Sequence, residues 1–218
     1  MNLYVLTYIV PAILAIGVIG IACLSVKKVN GIGRILYSYL FLNLLIDLAS
    51  RTMVILRENN LYAFSFSSLL DLTVYFLVFR SLGLGKRAPA FMTFVGLIYV
   101  LAETYYLDMS DYESLQPYSK SLCALIIVTM GIALLLKLMK SDEAYPRRHI
   151  SLILASITFF SLEMILLLPF NFLINVDSNL TLYLWLLRIA FMSMFYAYIT
   201  SYIYSNGRNR KRSRYGFL

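Results

Sequence analysis

Seven apolar segments separated by short polar connections constrain this chain more than any other feature of its sequence. Each segment is long enough, at about 1.5 Å per residue in a helix, to cross about 30 Å of hydrocarbon. Hydrophobic residues make up 61% of the sequence and charged residues only 14%, which excludes an ordinary soluble domain. The sequence therefore predicts an all-α polytopic protein with seven transmembrane helices, near residues 3–26, 34–57, 61–82, 88–108, 117–139, 149–174 and 180–205.

The connections between these segments alternate in charge. The first, third and fifth connections and the tail are basic, whereas the second, fourth and sixth contain acids such as Glu58, Asp111 and Asp177. By the positive-inside rule, this predicts an N-terminus outside the membrane and a C-terminus in the cytoplasm. The same topology accounts for the net charge of +8 without nucleic acid. We expect one bundle over residues 1–205 and a basic cytoplasmic tail over residues 206–218, in the bacterial cytoplasmic (inner) membrane.

Polar side chains interrupt the second apolar segment at helical spacing. Asn43, Asp47 and Arg51 lie four residues apart, so they share one stripe of the predicted helix. A charged side chain in the membrane interior costs at least a few kcal/mol and therefore needs a polar partner. Three further charges lie inside other apolar segments, at Asp71, Glu163 and Arg188. Helical rise places the five charges roughly 9 to 15 Å below the outer surface, which predicts one shared cluster that binds a ligand or forms ion pairs.

The predicted cluster has two interpretations. Three carboxylates against two guanidinium groups leave one acid in excess, and this acid could stay protonated, bind a cation or pair with a ligand amine. Alternatively, the charges form a structural lock, with Asp47 paired to Arg51 along one helix and Glu163 paired to Arg188 across helices. Glu103 and Lys120 lie near the outer surface and could pair above the cluster, but a solvated rim is the expected place for both.

Catalytic and metal-binding patterns are missing from the sequence. There is no histidine cluster, no H-E-x-x-H sequence, no glycine-rich phosphate loop and no serine elbow. A cage of the three intramembrane carboxylates could hold a hard cation, but the neighbouring arginines argue against it. The lone His149 is expected at the membrane interface. The sequence therefore predicts a protein that is not an enzyme and has no cofactor and no bound metal.

Two stretches carry resemblances to known families. The stretch YLFLNLLIDLA looks like the second helix of rhodopsin-like receptors, but the chain lacks their arginine triplet, Cys-Trp-x-Pro and Asn-Pro-x-x-Tyr sequences. The first half resembles uncharacterised small seven-helix bacterial membrane proteins, through the acids Asp47 and Asp71 and the basic residues between Arg80 and Arg87. This second resemblance implies a seven-helix bundle and brings no activity with it.

These observations favour a ligand-sensing or accessory subunit of a membrane complex. Its expected partners are the lipid bilayer, a small ligand from the outer side, and a membrane or cytoplasmic protein at the basic cytoplasmic face. One alternative is a small-solute or proton-coupled transporter in which Asp71 titrates. The other is a purely structural membrane subunit.

Overall fold

A computed structural model describes residues 8–23, 31–56, 62–106, 118–140, 147–168 and 178–215, and these form a helical bundle. Six of the described helices are long and apolar enough to cross a membrane, and the first, with 15 residues, is shorter. The chain is therefore an all-α integral membrane protein, as predicted. In chain order the helices are α1 (Ile9–Cys23), α2 (Gly31–Ile55), α3 (Tyr62–Ser81), α4 (Arg87–Tyr106), α5 (Tyr118–Met139), α6 (Arg147–Leu167) and α7 (Ser178–Tyr215).

The connection between α3 and α4 reverses the chain in a few residues. Gly83 has a positive φ of 98°, a conformation that glycine adopts without strain. Its N–H donates to the carbonyl of Arg80 at 3.1 Å, and the N–H of Leu84 donates to the carbonyl of Phe79 at 3.0 Å. This pair of hydrogen bonds, together with burial of Leu84 and Phe79, is a Schellman cap. α3 therefore ends sharply and α4 returns alongside it.

Helices that follow one another in the chain are antiparallel. The Thr104 hydroxyl near the end of α4 donates to the Ser65 hydroxyl near the start of α3, at 2.9 Å. At the opposite end, Lys137 Nζ of α5 donates to the carbonyl of Gly83 at 2.5 Å. We call the end where α3, α5 and α7 begin the upper end, and the opposite end the lower end. Most of the connections whose charges predict the topology fall outside the described residues.

The helices are arranged as a closed ring with two contacts across its interior. Each helix packs against the next in the chain, and α1 packs against α7. In addition, α3 packs against α5 and α2 packs against α7. Close approach requires small residues: a Cβ added at Gly96 of α4 would lie 2.6 Å from Leu72 of α3 and 2.8 Å from Ile126 of α5. Gly96 thereby allows α4 to pack closely against both α3 and α5.

Aromatic rings fill the middle of the bundle. Tyr75 of α3 is fully buried, and its ring centroid lies 4.8 Å from that of Phe160 and 5.8 Å from that of Phe79. The rings of Phe159 and Phe195 stack at 4.0 Å and 6°. We call these five residues the aromatic layer. Tyr75 lies four residues after Asp71 on α3, and Phe160 lies three residues before Glu163 on α6. Because these two helices run in opposite directions, each ring is about one turn nearer the lower end than its acid, and the layer lies beneath both acids.

Helix α7 is much longer than a membrane crossing requires. It has 38 residues and so extends about 57 Å, against about 30 Å of hydrocarbon. The helix continues past residue 205, where the sequence predicts that the bundle gives way to a basic tail. Residues 206–215 therefore continue the backbone of the last span, and their side chains lie outside the described part of the chain.

Candidate functional site

Four charged side chains from four helices meet in the upper half of the bundle. They are Asp71 of α3, Lys120 of α5, Glu163 of α6 and Arg188 of α7, and we call them the charge cluster. Lys120 Nζ pairs with Asp71 Oδ2 and lies 4.0 Å from Glu163 Oε1, to which Arg188 Nη2 donates at 2.8 Å. All four residues are between 3 and 9% exposed. Two acids and two bases thus neutralise one another in a medium of low dielectric constant.

Hydroxyl groups complete the coordination of the Asp71–Lys120 pair. The Tyr39 hydroxyl of α2 donates to Asp71 Oδ1 at 2.9 Å, and Lys120 Nζ donates to the Ser67 hydroxyl at 2.7 Å. Both carboxylate oxygens of Asp71 are therefore hydrogen-bonded. The contact with Tyr39 brings a fifth helix into the site, so the cluster connects α2, α3, α5, α6 and α7.

The Glu163–Arg188 pair is less completely satisfied. Glu163 Oε2 and Arg188 Nε are buried and have no hydrogen-bond partner among the described residues. The Arg188 guanidinium lies 5.1 Å from the Trp185 ring centroid and 5.6 Å from that of Phe64, within cation–π range. This end of the cluster thus retains one free acceptor and one free donor beside two aromatic rings.

Asp47 and Arg51 lie apart from the charge cluster. Arg51 Nε donates to Asp47 Oδ2 at 2.6 Å, both side chains are 27% exposed, and the guanidinium lies over the Tyr8 ring at 4.8 Å. Asp47 is eight residues above Tyr39 on α2, a rise of about 12 Å. The prediction of one cluster of five charges is therefore corrected: Asp71, Glu163 and Arg188 meet, whereas Asp47 and Arg51 pair locally. Both pairs of the alternative structural lock are present, Asp47 with Arg51 along α2 and Glu163 with Arg188 across helices.

Lys120 is the main residue that sequence reasoning misplaced. It was expected in a solvated rim, yet it is 3% exposed and contacts Asp71. Its four-carbon stem extends the ammonium group inward from the first turn of α5, which helix depth alone does not reveal. The sequence did contain an indication of this arrangement, because Lys120 lies inside an apolar segment while acids lie deep in two other segments. With Lys120 in the cluster and Asp47 paired to Arg51, the predicted excess acid is absent from the described charges.

Glu103, the other residue predicted in the solvated rim, lies at the upper end of α4 and is only partly exposed. Its carboxylate accepts hydrogen bonds from the backbone N–H of Ser119 at 2.9 and 3.1 Å. This N–H lies in the first turn of α5, where backbone donors lack partners within the helix and a negative charge is favourable. Glu103 therefore caps α5 from the end of α4 and helps to fix the position of Lys120.

The site differs in polarity above and below. Along α2, Arg51, Asp47, Asn43 and Tyr39 lie four residues apart, and exposure falls from 27% at the first two to 6% at Asn43 and 1% at Tyr39. We call these four residues the polar stripe. Asn43 Oδ1 accepts a hydrogen bond from the Tyr196 hydroxyl at 3.3 Å, and Tyr39 reaches Asp71. Polar side chains thus lead from the upper end to the cluster, whereas the aromatic layer lies beneath it.

The chemistry available at this site is ion pairing and hydrogen bonding. Within the described ranges, no group of three or more His, Cys, Asp or Glu residues is positioned to hold a metal ion. His149 lies at the lower end, where its Nδ1 is 2.8 Å from the Tyr202 hydroxyl. It is therefore distant from the charge cluster.

Comparison of the chain with protein-family models, with curated proteins and with solved structures finds no match.

Proposed function

We propose that this chain is a non-enzymatic membrane protein whose charge cluster binds a small ligand entering from the upper end. In this role the protein acts as a ligand-sensing or accessory subunit of a membrane complex. The observation that carries the proposal is the asymmetry of the site, which has the polar stripe on its upper side and the aromatic layer on its lower side. Such a site suits a pocket that opens to one face better than a path through the membrane.

We assign the upper end to the outer face of a bacterial cytoplasmic membrane and the lower end to the cytoplasm. The charges at the lower end support this orientation, because cytoplasmic ends are enriched in lysine and arginine. Arg80, Lys86, Arg87, Lys137 and Lys140 all lie there. The N-terminus is then outside, and the end of α7, whose sequence is basic, lies on the cytoplasmic side, where we propose that a cytoplasmic partner or anionic lipid binds.

Signalling follows from the helices that the cluster connects. A ligand that binds Glu163 or Arg188 changes the interaction between α6 and α7, because that ion pair is the described polar contact between them in the upper half. Binding shifts a conformational equilibrium only by its differential affinity for the two states. A ligand that bonds to both members of the pair meets this condition, since it binds best in the state that holds α6 and α7 at the spacing of the pair.

A transporter is the second candidate. The hydrogen-bonded series Tyr39, Asp71 and Lys120 is suited to moving a proton. Against this role, Tyr75 and Phe160 occupy the level immediately below Asp71. Flux of protons or small solutes in proteoliposomes, compared between the unsubstituted protein and Asp71→Asn, distinguishes the two: flux that Asp71→Asn abolishes would favour transport over sensing.

Cysteine accessibility tests the orientation and the one-sided pocket. In a background with Cys23→Ser and Cys123→Ala, we place single cysteines at Asp47, Asn43 and, as a lower-end control, the exposed Gly85. A membrane-impermeant thiosulfonate is applied to the outer face of intact cells. We expect fast labelling at position 47, slower labelling at 43, and labelling at 85 only after permeabilisation. Labelling of position 85 alone from outside would show that the orientation is the opposite of the one proposed. If positions 43 and 47 do not react, the proposed access route from the upper end is contradicted.

Partner association tests the accessory role. The tagged protein is purified from its native membrane as the unsubstituted chain and as the double variant Glu163→Gln, Arg188→Gln, which preserves net charge. We expect the double variant to retain its fold and lose the partners that depend on the α6–α7 contact. Identical partner sets for the two proteins would contradict a role for the cluster in association.

A further inference from the structure

The Glu163–Arg188 ion pair is joined by a single described hydrogen bond, although a guanidinium and a carboxylate can form two parallel ones. Glu163 Oε2 and Arg188 Nε are left without partners among the described residues, and each belongs to a side chain at least nine-tenths buried. Unpaired polar groups in an interior are costly, so they mark places where a ligand can supply the missing hydrogen bonds. One of these atoms is an acceptor and the other is a donor.

We propose that this end of the charge cluster recognises a neutral, planar group with an N–H donor beside a carbonyl acceptor, such as a carboxamide, a urea or a cyclic imide. The ligand N–H donates to Glu163 Oε2, and its carbonyl accepts from the Arg188 Nε–H. The proposal rests on the proposed function in one respect, because it takes the charge cluster to be a ligand site. It adds the chemical class of that ligand.

Charge balance selects a neutral group. Asp71 and Glu163 carry two negative charges, and Lys120 and Arg188 carry two positive charges, all buried. A ligand with a net charge would place an uncompensated charge among them, which a low-dielectric interior strongly disfavours. In addition, an ammonium offers only donors and a carboxylate only acceptors, so either one satisfies one free atom and opposes the other.

The aromatic residues beside Arg188 favour a ligand with a flat apolar body. Phe64 of α3 and Trp185 of α7 have ring centroids 6.4 Å apart, inclined at 56°, and both rings contact the Arg188 guanidinium. Aromatic rings of this kind contribute a large apolar contact area with a defined geometry. Benzamide, a phenyl ring with a carboxamide, is therefore the smallest probe that matches the site.

Trp185 is the only tryptophan in the chain, so its fluorescence reports on this site directly. The full-length protein in lipid nanodiscs is titrated with benzamide, benzoate, benzylammonium and ethylbenzene. These probes share the phenyl ring and differ in the group that meets Glu163 and Arg188. We expect a saturable fluorescence change with benzamide and an apparent affinity at least about tenfold higher than for the other three.

Glu163→Gln tests the donor and acceptor assignment. The substitution replaces one carboxylate oxygen by an NH₂ donor and leaves the cluster with one excess positive charge. We expect benzamide to bind at least about tenfold more weakly and benzoate to become the preferred probe. Lys140→Gln is the control, because it removes one charge from an exposed residue at the lower end, away from the charge cluster and the polar stripe, and should leave the ranking of probes unchanged.

The possible outcomes separate a failure of the proposed ligand class from a failure of the proposed ligand site. If benzoate or benzylammonium binds the unsubstituted protein best, the neutral class is overturned while the ligand site stands. Equal binding of ethylbenzene overturns the hydrogen-bonding role. If no probe changes the fluorescence while position 47 is labelled from outside, the ligand class is rejected and the proposed function remains. If Glu163→Gln does not fold, the ranking on the unsubstituted protein decides alone.

Discussion

Replacing Lys120 with methionine removes the cation that contacts Asp71 while keeping most of the side-chain volume. Asp71 then retains the Tyr39 hydroxyl as its described hydrogen-bond donor, and the charge cluster carries one excess negative charge. Breaking a buried ion pair by removing one partner costs about 3–5 kcal/mol, because the remaining charge is stranded in a low-dielectric interior. Arg188 stays in the cluster and offsets part of this cost. We therefore expect the free energy of unfolding to fall by about 3 kcal/mol.

Replacing the acid of this pair should lower the free energy of unfolding less than replacing the base. Asp71→Asn leaves the cluster with one excess positive charge, but Lys120 keeps the Ser67 hydroxyl and remains 4.0 Å from Glu163, so this charge is partly compensated. We expect a loss of about 1–2 kcal/mol. The double variant Lys120→Met, Asp71→Asn leaves neither charge of this pair without its partner. Its loss of unfolding free energy should therefore be far smaller than the sum of the two single losses. The resulting coupling energy should be at least about 2 kcal/mol, whereas hydrogen bonds between membrane helices average about 0.6 kcal/mol.

Reversible unfolding in mixed micelles, titrated with dodecyl sulfate, measures these energies. Helical content by circular dichroism and Trp185 fluorescence should report the same transition if unfolding is two-state. The control cycle uses Asp47→Asn and Arg51→Met, because that pair is partly exposed and local to one helix. Its coupling should stay below about 1 kcal/mol. If the Asp71–Lys120 coupling is no larger than this control, the claim that a buried charge balance stabilises the bundle is refuted.

Three further predictions concern packing, capping and the hydroxyl contact to Asp71. Gly96→Ala should lower the unfolding free energy by about 1–3 kcal/mol, because the added Cβ meets Leu72 at 2.6 Å, whereas Gly20→Ala, with open space around it, should be neutral or stabilising in the same titration. Glu103→Gln should cost about 1 kcal/mol and expose the first turn of α5 to faster hydrogen exchange, and unchanged exchange there would refute the cap. Tyr39→Phe should lower the unfolding free energy by about 1–2 kcal/mol in the otherwise unsubstituted protein and by less when Asp71 is already replaced by asparagine. Equal losses in the two proteins would exclude this hydrogen bond.

The helical architecture could be predicted because hydrophobic length is a local property of the sequence. Six of the seven described helices fall within or close to a predicted segment, and α7 continues to Tyr215, ten residues past its predicted end at residue 205. The predicted parts of the first and sixth spans beyond residues 8–23 and 147–168 lie outside the described residues. The predicted orientation remains a proposal, since it depends on charges in the connections rather than on packing.

The composition of the charge cluster could be predicted only in part. Asp71, Glu163 and Arg188 lie deep in their segments, so depth along a helix was enough to bring them together. Depth along the helix did not show that Asp47 lies apart from the cluster. The upper half of α2 carries no fully buried residue, so its two charges pair with each other instead of reaching the interior. Nor did depth locate Lys120, whose ammonium group reaches the level of Asp71 from the first turn of α5. Side-chain reach and the lateral spread of helices depend on tertiary packing, which one sequence does not encode in a readable pattern.

The unbroken backbone of α7 makes it a mechanical lever. Arg188 and Tyr215 lie on the same helix, 27 residues and thus about 40 Å apart. If the helix pivots near Arg188, a tilt of about 5° displaces the far tip by about 3.5 Å. Repacking at one ion pair would therefore be amplified, without any hinge or linker, into a displacement as large as a small side chain at the opposite end of the rod.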